Sequence, residues 1–80
     1  MAARARIERS PGGGGSTVTV NGYAQWVPGS RTRAEAVALA ALGLIGVPCE
    51  VAREALARRF AATRGRSAEI IVSVAVAEVG

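Results

Sequence analysis

Alternation and helical periodicity divide the chain into readable segments. Thr17-Val18-Thr19-Val20 alternates polar and apolar positions, as a half-buried strand does. Asn21-Gly22 follows, a pair suited to the positive φ that both centres of a two-residue hairpin turn require. Tyr23-Ala24-Gln25-Trp26-Val27 is then the return strand, ended by Pro28-Gly29. The turn pairs Val20 with Tyr23 and Val18 with Gln25. One face carries Val18, Val20, Tyr23, Gln25 and Val27; the other carries Thr17, Thr19, Ala24 and Trp26. A lone Trp in so small a domain is expected in the core, with a stacking platform for a base or a partner as the alternative.

Thr32-Arg33-Ala34-Glu35 reads as a capping box opening a helix. Ala36, Val37, Leu39, Ala40, Ala41 and Leu42 make that helix apolar nearly all round, which predicts burial on every side. Gly43 and Gly46 interrupt it around Leu44-Ile45. A second helix is predicted from about Pro48, a favoured first helical position, to Arg64, with Gly65 ending it. Val51, Ala55, Leu56 and Phe60 form its apolar face. Glu50 stands in its first turn, and Glu54 precedes Arg58 by four residues, the favourable order for an ion pair. Beyond Arg66-Ser67, a β-branched strand is predicted from Glu69 to Val79, with Ile70, Val72, Val74 and Val76 on one face. The class is therefore α+β, a hairpin, two helices and a last strand (ββααβ), as one domain over residues 17–80.

Residues 1–16 read differently. Arg4, Arg6 and Arg9 stand against Glu8, and Ser10-Pro11 leads into Gly12 to Gly15. This predicts a disordered basic, Gly-rich tail or an arm reaching along a phosphate backbone. No apolar run follows the arginines, so it is not a secretory signal. The first helix is too short to span a bilayer.

Composition sharpens the choice of function. Among 80 residues, 10 are basic, all Arg, and 6 are acidic, all Glu, for a net charge of +4. Half the residues are apolar, but Ala and Val dominate, so each buried residue removes little area from water. That shortage, with the Val-rich last strand, points to a homodimer. Excess positive charge points to a polyanionic partner, and Arg offers paired donors to phosphate. The chain has no His or Asp and a single cysteine, Cys49. These exclude an internal disulfide, a multi-cysteine metal site and a His-assisted nucleophile. Cys49 is expected to be a small, partly buried structural residue. No enzyme, cofactor or metal is expected.

Glu50-Val51-Ala52-Arg53-Glu54-Ala55-Leu56-Ala57-Arg58-Arg59-Phe60, preceded by Gly46-Val47-Pro48, resembles the second helix of ribbon-helix-helix repressors and the recognition helix of helix-turn-helix regulators. The resemblance covers about residues 46–60. It implies a cytoplasmic transcription regulator of the bacterial type, with helix N-termini holding phosphates or early helix residues facing the bases. The candidate DNA-binding residues are Arg53, Arg58, Arg59 and Arg64, with the flanking Arg31 and Arg33. The alternative is a protein-interaction or self-assembling adaptor, ubiquitin-like in its opening hairpin and capped helix, that uses a sheet edge.

Overall fold

The computed structural model describes residues 2–73. Its first recognisable unit is the hairpin: β2 (Gly15–Val20) and β3 (Tyr23–Pro28) pair antiparallel with Val20 opposite Tyr23 and Val18 opposite Gln25. Asn21 and Gly22 take φ of 49° and 87°, the conformation the predicted turn demands.

The segment before the hairpin is not a disordered tail. Ala2–Arg9 is a strand, β1, hydrogen-bonded on one side to β2 with Ile7 opposite Val18. Its alternation is complete: Ala3, Ala5 and Ile7 are buried while Arg4, Arg6 and Glu8 are exposed. Alanine is a poor strand former and arginine is common in tails, so the pattern had no propensity behind it. Residues 10–14 are correspondingly a tight connector. Ser10 N–H donates to Gly15 O at 2.9 Å and Gly13 N–H to Ser10 O at 3.0 Å. Gly15 is required by close approach. A Cβ there would lie 2.5 Å from Val27 O and 2.7 Å from Trp26 Cζ2.

Two helices follow, α1 (Arg31–Leu44) and α2 (Cys49–Ala62), and they carry the chain across the sheet to β4 (Ser67–Ser73). β4 pairs antiparallel with β1, Ile70 opposite Ala5, so the sheet order is β3-β2-β1-β4. The predicted continuation of this last strand, 74–79, lies outside the described residues. The architecture is α+β in two layers, with both helices packed on one face of a four-stranded antiparallel sheet.

Several boundaries and faces differ from expectation. Ser30, not Thr32, caps α1: its Oγ accepts the Arg33 N–H at 3.3 Å. The helix and its cap therefore start two residues earlier than the capping box implied, directly after Gly29, which ends the strand as expected at φ 102°, and Glu35 instead faces Arg31 at 3.7 Å. α1 is not buried all round. Only Ala34, Ala38 and Leu42 are fully covered, and Leu44 is 89% exposed. A two-layer fold has nothing to cover the outer side of a helix. Pro48 is the cap of α2 rather than its first residue, and the buried stripe is Ala52, Leu56 and Phe60. Val51 is turned out at 48% exposure. The helix instead presents Ala52, a small residue that permits close packing. After Ala62, Arg64 and Gly65 both take positive φ, and Gly65 N–H closes the helix on Phe60 O at 2.7 Å.

The core lies between the layers. Ile7, Val18, Leu42, Leu56 and Phe60 are its largest fully buried apolar side chains, each worth about 1.5–3 kcal/mol of burial. Trp26 is not among them. It belongs to the even-numbered face of β3, the side without helices, and remains 55% exposed with its ring over Gly15.

Candidate nucleic-acid interface

The helical layer places the predicted arginines at four separate stations. On α2, the buried stripe Ala52–Leu56–Phe60 defines the inward direction. At about 100° per residue, Arg53 and Arg59 then fall on opposite flanks, roughly 60° from that direction, and Arg58 points nearly outward. Arg64 lies past the helix end, so helical spacing does not place it beside Arg53.

Between the helices, Arg31 and Arg64 share a shallow groove with Glu35, Ala57, Phe60 and Ala61. The Arg31 guanidinium sits 4.9 Å from the centre of the Phe60 ring, and its Nε is 3.7 Å from Glu35 Oε1. Its head is therefore held in place by an aromatic face and a carboxylate. On the other side of α2, Arg58 and Arg59 line a second groove with Ala55, Ala62, Ile70 and Ile71, beside β4. Arg58 is paired with Glu54 at 2.6 Å, an exposed pair of small energetic weight. Arg53 directs Nη2 to Cys49 Sγ at 3.5 Å, and Cys49 is exposed rather than partly buried. It is the first residue of α2. Arg33 lies at the start of α1, its chain against Gly29.

The acids of this layer are fewer than its arginines. Glu35 and Glu54 meet Arg31 and Arg58; among the described residues, no ion pair engages Arg33, Arg53, Arg59 or Arg64. Arg66, exposed just after α2, adds a cation that helical periodicity did not nominate because it lies outside the helix.

The N-terminal arginines do other work. Arg4 and Arg6 project from the uncovered sheet face, where Arg6 meets Glu8 at 3.5 Å. Arg9 turns the other way: Nη1 donates to Ser16 Oγ at 3.0 Å and to Gly29 O at 2.9 Å. It ties the β1–β2 connector to the β3–α1 junction, so these residues are not a reaching arm.

Among the described residues no cluster of three or more His, Cys, Asp or Glu could hold a metal ion, and no buried side-chain polar atom lacks a partner. No helix is long and apolar enough to cross a membrane. No family model, curated protein or solved structure matches this chain.

Proposed function

We propose that this protein is a non-enzymatic DNA-binding module, a cytoplasmic regulator that holds the nucleic-acid backbone with the arginines of its helical layer. The observation that carries the reading is charge left over. Among the described residues, Arg33, Arg53, Arg59 and Arg64 are exposed without a carboxylate partner, and Arg31 is held in a fixed pose. Phosphate is the anion that such scattered guanidinium groups suit, since each can take a separate backbone oxygen. Their spread over both flanks of α2 makes a broad basic surface, better matched to backbone contact than to base reading. Binding is then mostly electrostatic, with modest sequence preference. Titration of duplex DNA across salt tests it. Arg53→Gln with Arg59→Gln should lower the slope of log affinity against log salt by about two units. No measurable affinity at low salt refutes the proposal. An unchanged slope in the double variant removes α2 as the contact surface.

An open strand edge at β3 favours a second reading, a self-assembling or protein-interaction module.

A further inference from the structure

The two edges of the sheet are unlike. On β4, the bonded pairs with β1 leave the backbone groups of Ser67, Glu69 and Ile71 facing outward. The Thr63 hydroxyl already occupies the first of these. It accepts from Ser67 N–H at 3.1 Å and donates to Ser67 O at 2.5 Å. Glu69 then sets a charge on that edge, and Arg59 lines a groove there together with Thr63, Ser67 and Glu69. These are features that discourage strand addition.

β3 has no such guard along its centre. The hairpin turn makes Val20 and Tyr23 a bonded pair, so Gln25 and Val27 also bond inward. The N–H and C=O groups of Ala24 and Trp26 therefore point away from the sheet, and no described residue bonds them. Pro28 falls in the same outward set, where its missing N–H costs the hairpin nothing. β3 carries no charged side chain. Beside it, a groove of about 280 Å³ against α1 is lined by Val20, Tyr23, Gln25, Val37, Leu44 and Ile45, again without a charge. Tyr23 is 84% exposed there.

We propose that β3 pairs antiparallel with β3 of a second copy, about a two-fold axis at Gln25, to make one continuous sheet across the dimer. This rests on the second reading above and is independent of DNA. The register follows by elimination. An axis at Trp26 would set Ala24 against Pro28, which has no N–H to give. An axis at Ala24 would require Gly22, at φ 87°, to be extended. An axis at Gln25 sets Ala24 against Trp26 twice, and every outward N–H finds a carbonyl. The side chains agree. On the uncovered face the Trp26 indole meets the Ala24 methyl; on the helix face the two Gln25 amides meet, each both donor and acceptor, and Tyr23 meets Val27. Charge selects the occupant. An acidic or basic partner would gain no ion pair at this face, whereas two copies of a chain with net charge +4 meet best where neither carries charge.

The test uses the full chain without DNA, so its failure is separate from failure of the DNA proposal. Light scattering from low micromolar to about millimolar concentration should rise to twice the 8.1 kDa chain mass, with the single Trp shifting to shorter wavelength as it is buried. Ala24→Pro removes an outward N–H that no intrachain bond uses; it should give a monomer with an unchanged circular dichroism spectrum. Ile71→Arg, on the other edge, should leave the dimer intact. In a Cys49→Ser background, Gln25→Cys should form a disulfide across the axis under mild oxidation. Facing non-bonded pairs lie about 4.5 Å apart at Cα, within disulfide range. Tyr23→Cys, which would sit about 13 Å from its mate, should not. A monomer throughout, a dimer that survives Ala24→Pro but not Ile71→Arg, or equal crosslinking at positions 23 and 25 would each overturn the proposal. If Ala24→Pro fails to fold, the crosslinking pair decides alone.

Discussion

Replacing Gly15 by Ala, with Gly14→Ala as its control, distinguishes a structured β1–β2 connector from a flexible leader. The two positions are neighbours in the same glycine run but differ in surroundings. A Cβ at Gly15 would stand 2.5 Å from Val27 O, 2.7 Å from Trp26 Cζ2 and 2.9 Å from Pro28 Cα. Two of these neighbours are backbone of the paired strand and cannot step aside without opening the β2–β3 ladder. Forcing a methyl into such a place costs about 1–3 kcal/mol. At Gly14 a Cβ would meet nothing within 4 Å, and its φ is not in the left-handed region. There Ala only narrows the unfolded ensemble, a gain of about 0.4–1 kcal/mol. The variants should therefore move in opposite directions. In urea, with a slope of about 1 kcal/mol/M for a chain this short, their midpoints should differ by roughly 1.5–4 M. Trp26 fluorescence reports the transition from the point of contact, and circular dichroism provides the independent probe. Equal midpoints for Gly14→Ala and Gly15→Ala would refute the reasoning, because that is what a disordered Gly-rich segment requires.

Three further outcomes follow from the α2–β4 side of the molecule. Thr63→Val removes the hydroxyl that serves both backbone groups of Ser67 and should cost about 1–2 kcal/mol by urea denaturation, with Thr63→Ser retaining most of it. Arg64→Gly relieves a non-glycine residue at φ 57° and should stabilise the fold by about 1 kcal/mol while reducing DNA affinity, two readouts moving oppositely in one variant. Glu54→Gln should change stability by less than about 0.5 kcal/mol, since the pair it breaks is exposed. Release of Arg58 should raise the salt slope of DNA binding by about one unit.

Local chemistry was enough for some of this structure. The Asn21-Gly22 turn set its own register, since two positive φ values and a two-residue loop leave one way to pair Val20 with Tyr23. Gly65 marked where α2 stops only to within a few residues: the helix ends at Ala62, and Arg64 takes the left-handed conformation before Gly65 does. The excess of arginine over glutamate was likewise plain, and it limits the class of partner whatever the fold. Other features depended on neighbours distant in sequence. The Ala3, Ala5, Ile7 alternation became a strand only because β2 and β4 flank it on both sides and the helices bury its small face. Trp26 is exposed because register assigns it to the even-numbered side of β3 and both helices lie on the odd side; no local pattern states which side will be covered. The same holds for Val51 and Ala52, equally plausible as core residues until α2 docks. It holds also for the arginines, whose grouping into Arg31 with Arg64 and Arg58 with Arg59 is decided by α1 and β4 packing against opposite flanks of α2. Sequence spacing determines which residues share a face, but only the packed layers determine which face meets water.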